Sequence, residues 1–144
     1  MARRKIALIG GGQIGGNLAL LSNQKELGDV VIYDIPQAEG MTQGKALDIM
    51  QMRPHDGYDG NLSGTSDPAS MQDANVVIIT AGVPRKPGMN REDLLEINIK
   101  IITDVANNVK KYAPNAFVIV VSNPLDAIVY SFYKVSDFAK NKVI

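Results

Sequence analysis

The stretch that decides the fold is KIALIGGGQIGG, Lys5–Gly16. A short apolar run, rich in β-branched residues, stops at five glycines within seven positions, and an apolar run resumes behind them. Glycine inside a strand or helix costs about 0.5–1 kcal/mol relative to alanine. A cluster this dense therefore belongs at a junction that needs bare backbone. Ile6–Ile9 reads as a buried strand, and Ile14–Leu21, apolar at helical spacing, reads as a helix.

Outward from that junction the alternation repeats. Val30–Tyr33 predicts a second strand, and residues 38–52, AEGMTQGKALDIMQM, a helix weakened at its start by Gly40 and Gly44. The connection Pro54–Ser66 is rich in glycine, serine and aspartate, with a short strand expected at Asn61–Gly64. Val76–Thr80 and Phe117–Val121 predict further strands. Arg91–Tyr112 predicts a long helix with its apolar stripe on Leu94, Ile97, Ile101, Val105 and Val109, and Pro124–Val135 a last helix. The closing residues 142–144, KVI, are expected to start a sixth strand. Continuous apolar strands alternating with helices specify an α/β fold, a parallel sheet covered on both faces.

Composition narrows the class. The 144 residues fit one domain, 1–144, and 45% are hydrophobic. Fifteen basic side chains balance fifteen acidic ones, and no window forms the broad basic face that nucleic acid requires. With no cysteine, disulfides, thiolate nucleophiles and cysteine-ligated metal are excluded, and a cytoplasmic location is expected. The start, MARRK, is how a secretory signal begins, but Gly10 ends the apolar run after four residues, short of the roughly 7 a signal needs. No stretch approaches the ~18 apolar residues of a membrane span.

In this context Gly10, Gly12 and Gly15 form G-x-G-x-x-G between strand and helix. The spacing assigns Gly10 to a tight turn, Gly12 to close approach of backbone to a pyrophosphate, and Gly15 to close packing of helix on strand. Without a following lysine and hydroxyl residue the motif is not a Walker loop. Asp34 ends the second strand nineteen residues beyond Gly15, where a dinucleotide-binding fold places a carboxylate to accept from ribose hydroxyls. A carboxylate there repels a 2'-phosphate, which favours NAD over NADP; the alternative is an ordinary turn aspartate. In TAGVPRKPGMNREDLLEIN, Thr80–Asn98, the loop carries Arg85, Lys86 and Arg91. Guanidinium groups there could hold carboxylates bidentately, or the loop could be merely a solvated basic one. Asn123 before Pro124 fits a helix N-cap with proline at the first helical position. Its amide could equally contact a ligand at the same sheet edge.

Taken together and in order, GGGQIGG, YDI, GKALDI, TAGVPRKPGMNREDLL..N and VSNPLD resemble the lactate and malate dehydrogenase family, specifically its lactate-dehydrogenase-like malate dehydrogenases, across essentially the whole chain. The resemblance implies a three-layer Rossmann fold, doubly wound with strand order 3-2-1-4-5-6, NAD as cofactor, and reversible oxidation of malate to oxaloacetate. It implies that Arg91 polarises the substrate carbonyl, that Arg85 stands where the family tells a second carboxylate from a methyl group, and that Asn123 assists substrate and nicotinamide. Cofactor contacts are implied at Gln13, Ile14, Thr80, Ala81, Gly82, Asn98 and Val121. It also implies a cis Asn-Pro bond.

Family members run to about twice this length, and their second half brings the catalytic histidine, its aspartate partner and a further arginine. These are not among the 144 residues; the single histidine, His55, matches no catalytic position and is expected in a surface loop. The chain is therefore expected to be a cofactor domain without its catalytic domain, binding NAD weakly and turning over little or no malate. Apolar surface is expected at Ile128, Phe132, Phe138 and the Ile49–Met52 segment, with self-association through it. Two alternatives are the cofactor half of another 2-hydroxy-acid dehydrogenase, and a stand-alone NAD-binding module.

Overall fold

The computed structural model describes residues 3–85 and 87–144. Its elements run β1 (Lys5–Ile9), α1 (Gln13–Gln24), β2 (Asp29–Tyr33), α2 (Glu39–Gln51), a four-residue α3 (Arg53–Asp56), β3 (Leu62–Thr65), β4 (Val76–Ile79), α4 (Arg91–Tyr112), β5 (Phe117–Val120) and α5 (Leu125–Ser136). All strand pairs are parallel, in the order β3-β2-β1-β4-β5. The expected sixth strand is reduced among the described residues to one bridge, Val143 beside Val118. The Ile144 amide donates to Val118 and the Ile144 carbonyl accepts from Val120, so the chain does enter the sixth position.

The strands divide their side chains between two cores, as the twofold period of a strand requires. Ile6, Leu8, Val30 and Ile32 pack with Ala19, Ala46 and Ile49 of α1 and α2. Ala7, Ile9, Val31, Val77 and Val118 pack with Ile102, Val105, Ala106 and Val109 of α4 and Ile128 and Phe132 of α5. β5 departs from the expected double cover: Val118 and Val120 are buried, while Phe117 and Ile119 on its other face are exposed.

Two further expectations are corrected. The buried residues of α4 are Asn98, Ile102, Val105, Ala106 and Val109, so the expected stripe holds at Val105 and Val109 and fails toward the start of the helix. Ile97 is exposed there, and Leu94 and Ile101 are only half-buried. Ile128, Phe132 and Phe138 are not surface but core: Phe132 is 0% exposed and meets Phe138 edge-to-face with centroids 5.8 Å apart. The exposed apolar side chains lie on the opposite faces, Leu125 and Tyr130 on α5 and Met41, Leu47 and, past its end, Met52 on α2, whose Ile49 is buried. Spacing of i, i+4 places Ile128 and Phe132 on one stripe, and α4 covers it.

Truncating Phe132→Ala should lower unfolding free energy by about 3–5 kcal/mol. Tyr130→Ala, at a site 62% exposed, should change it by less than about 1 kcal/mol. Chemical denaturation of both variants checks the contrast.

Candidate functional site

The C-terminal ends of β1, β2, β4 and β5 open onto one crevice, built around the glycine loop between β1 and α1. Gly10 adopts φ +105°, and a Cβ there would lie 2.8 Å from the Ala81 amide nitrogen. At Gly15 a Cβ would fall 1.8 Å from the Gly10 carbonyl oxygen, so α1 can approach β1 this closely only without a side chain. Gly12 differs: a Cβ would meet nothing within 4 Å. Its neighbourhood is open, and the amides of Gly12, Gln13 and Ile14 find no acceptor among the described residues. Free N–H groups at the positive end of a twelve-residue helix make that opening a place for an anion.

On one side of the loop lies a cleft of about 450 Å³, lined by Ile9, Gly10, Tyr33, Asp34, Ile35, Ala81, Ile101 and Asp104 among others. Asp34 is half-buried at its mouth, with Oδ2 accepting from the Gly11 amide at 2.7 Å and Oδ1 from the Ile35 amide at 2.8 Å. Each carboxylate oxygen keeps lone pairs for a further donor. Burial pushes the Tyr33 phenol above its ordinary pKa, and the charges of Asp34 and Asp104 add to the effect. This end of the crevice is thus apolar walls with two carboxylates, suited to a sugar with hydroxyls and hostile to a phosphate.

On the other side is a smaller cleft of about 190 Å³, lined by Ile14, Thr80, Ala81, Gly82, Val83, Pro84, Val121, Ser122 and Asn123. Ala81 borders both clefts. Ile14 and Val121 present apolar side chains to it, 56% and 38% exposed. The Thr80 hydroxyl donates toward the Ile9 and Gly10 carbonyls, and Ser122 Oγ to Ala81 at 2.6 Å, so two hydroxyls tie the walls to the strand ends.

Asn98 lies behind this wall rather than along it. Only 3% exposed, it accepts from the Val83 amide at 2.8 Å and donates to the Asn123 carbonyl at 3.0 Å and toward the Val83 carbonyl. Its amide is spent on joining two loops. Asn123 is not the N-cap that its place before Pro124 suggests: the bond between them is cis, Pro124 itself caps α5, and no side chain bonds the helix start. Arg85 and Arg91 line neither cleft. Arg85 Nε donates to Met89 within its own loop, and Arg91 opens α4 behind Asn90, whose Oδ1 accepts from Asp93 at 2.7 Å. Both arginines are exposed and without an ion pair among the described residues; Lys86 lies outside them. His55 stands on α3, exposed and bonded to Asp56, at the opposite edge of the sheet. Gln13 turns its side chain toward a groove between α1 and α2.

Residue spacing does not single out Lys45, Ser122, Tyr33, Ile35 or Asp104, although each borders the crevice or its glycine loop. Tyr33 and Ile35 carried the clearest signal, as the immediate neighbours of Asp34. Among the described residues no group of histidine and acidic side chains is placed to hold a metal, and no helix is long and apolar enough to cross a membrane.

A family described as lactate/malate dehydrogenase, NAD binding domain, matches residues 4–144. The malate dehydrogenase of Myxococcus xanthus is 63% identical over 141 residues, covering 98% of this chain and 45% of that protein, and that of Geobacter sulfurreducens is 60% identical over 144 residues, covering 100% and 45%. Among solved structures, Cryptosporidium parvum malate dehydrogenase superposes with a TM-score of 0.91 at 53% identity, over 98% of this chain and 44% of that one. The lactate dehydrogenase of the same organism, complexed with lactic acid and nicotinamide adenine dinucleotide, also gives 0.91, at 50% identity, over 99% and 44%. The chain thus spans somewhat less than half the length of the relatives it matches.

The glycines should separate by mutation. Gly15→Ala drives a methyl into backbone and should cost about 1–3 kcal/mol or more, whereas Gly12→Ala meets open space and should cost only the glycine's advantage at the N-cap of α1, about 1 kcal/mol or less. Thermal melts of the two variants check this.

Proposed function

This chain belongs to the lactate and malate dehydrogenase family as its NAD-binding domain, and from that premise we propose that it is the cofactor half of a malate dehydrogenase, holding NAD across the crevice. The observation that carries the reading is Gly12. It is the one motif glycine with no neighbour to make room for, it borders amides without acceptors among the described residues, and Asp34 lies one peptide away.

The parts divide by chemistry. Asp34 accepts from the adenosine ribose hydroxyls in the larger cleft, and with Asp104 beside it a 2'-phosphate is repelled, which selects NAD. The Gly12, Gln13 and Ile14 amides donate to the diphosphate. The exposed Ile14 and Val121 side chains, with residues 80–82 and Asn123, enclose the nicotinamide and exclude water from its face. NAD when bound supplies the hydride acceptor. Arg91 and Arg85, exposed on their loop, hold substrate: Arg91 polarises the oxygen on the reacting carbon and Arg85 binds the second carboxylate of a dicarboxylate. Asn98 contributes by positioning, since it fixes Val83 at the root of that loop against Asn123.

Among the described residues no histidine borders the crevice to accept the proton of the substrate hydroxyl. His55 is at the far edge of the sheet, and a positioned base contributes about 10² to 10⁴ in rate. Alone these 144 residues should bind NAD and turn over malate negligibly. The full activity, and pairing with a second copy through the exposed Met41, Leu47 and Met52 of the α2 region, belong to the same proposal, as does a cytoplasmic location. A second reading, the cofactor half of a dehydrogenase for another 2-hydroxy acid, has support in the equal TM-score of the lactate enzyme. Arg85 speaks against it, since a monocarboxylate needs no second cation.

Calorimetric titration with NAD should show saturable binding that Asp34→Ala weakens about tenfold or more, the scale of a hydrogen bond to a charged group, while narrowing the preference over NADP. Binding indifferent to that substitution would remove the ribose assignment. Turnover of malate by these residues alone within tenfold of ordinary dehydrogenases would overturn the inactivity.

A further inference from the structure

Resting on the NAD reading above, we infer that Lys45 of α2 is a positioning residue for the diphosphate: its ammonium holds the glycine loop from behind so that the loop's amides face the ligand. Lys45 Nζ donates to the Gly11 carbonyl at 2.5 Å and to the Gly12 carbonyl at 3.0 Å. The side chain is half-buried in the groove between α1 and α2, beside Gln13 and Gly16. It makes no ion pair among the described residues.

The consequence follows from peptide geometry. In a trans peptide the C=O and the next residue's N–H point in opposite directions. Drawing the Gly11 carbonyl toward Lys45 turns the Gly12 amide away from it, and drawing the Gly12 carbonyl the same way turns the Gln13 amide away. These are two of the donors left without acceptors among the described residues. The Gly12 carbonyl already accepts from Gly16 in the first turn of α1, so the same ammonium registers the loop against the helix. Asp34 takes the Gly11 amide, leaving that residue held at both ends, its N–H by a carboxylate and its C=O by an ammonium. Three consecutive glycines have the widest conformational freedom of any tripeptide, and two side-chain tethers from β2 and α2 remove it before a ligand arrives. Preorganised donors bind more tightly than donors that must be ordered on binding. A neutral donor would suffice to brace two carbonyls, whereas a cation beneath the loop also favours an anion above it.

The test uses ADP-ribose, which carries the diphosphate, and adenosine, which does not. Calorimetry on the unsubstituted protein comes first; absence of ADP-ribose binding would overturn the NAD reading and this inference with it. Given binding, Lys45→Met should weaken ADP-ribose about tenfold, Lys45→Arg should restore it to within about threefold, and adenosine affinity, followed by NMR titration, should stay within about twofold throughout. ADP-ribose affinity unaffected by Lys45→Met overturns the inference while leaving the NAD reading intact, and so does an equal loss for both ligands, which would mark Lys45 as a support of the whole pocket. Should Lys45→Met not fold, amide NMR of the unsubstituted protein decides: ADP-ribose should shift the Gly12 and Gln13 amides downfield and adenosine should not, and silence of both amides sinks the proposal.

Discussion

The contact on which the arrangement depends is between two backbones, α1 at Gly15 and β1 at the Gly10 carbonyl, where a single methyl would be 1.8 Å from oxygen. That closeness places the first turn of α1 directly over the strand end. A helix N-terminus held there offers its unbonded amides at the sheet edge instead of to bulk water. Nothing about helix propensity favours a glycine pair in the first turn; the position is maintained because the two cores, on opposite faces of the sheet, hold α1 and β1 regardless.

Around that tip the polar groups are sorted by charge. Carboxylates of Asp34 and Asp104 stand at the wide end of the crevice, the ammonium of Lys45 lies beneath the loop, and the exposed guanidinium groups of Arg85 and Arg91 sit beyond the narrow end. A molecule with hydroxyls at one end, a diphosphate in the middle and a carboxylated reaction partner at the other meets a complementary sign at each point. The narrow end is braced from inside by Asn98, whose buried amide links Val83 to Asn123. In a low-dielectric wall such a satisfied amide rigidifies what it joins.

Exposed apolar surface has a distribution of its own. Phe117 and Ile119 are bare on one face of β5, with Val121 exposed just past its end, and Leu47 and Met41 on the outer face of α2, whereas Phe132 and Phe138 of the C-terminal region are interior. Continuous apolar strands read as buried on both faces, yet burial also depends on whether a helix crosses above, and past β4 none of the described residues forms one on the α1 side.

The order of elements, the parallel sheet, the glycine junction and the carboxylate at Asp34 were legible from residue spacing, because period and turn chemistry are local properties of the chain. Long α4 was read with the right ends and a stripe that holds only in its second half, at Val105 and Val109, since a 3.6-residue period allows neighbouring stripes and only the packed sheet chooses among them. The brace that Lys45 supplies could not be found by spacing at all: its carbonyl partners are more than thirty positions away. Likewise Asn98 reads as a ligand contact until folding surrounds it with two loops that consume its donors. Sequence by itself determined which groups could bind a dinucleotide; tertiary structure decided which of them face the crevice and which hold it open, because contact between distant segments is created only when the sheet is assembled.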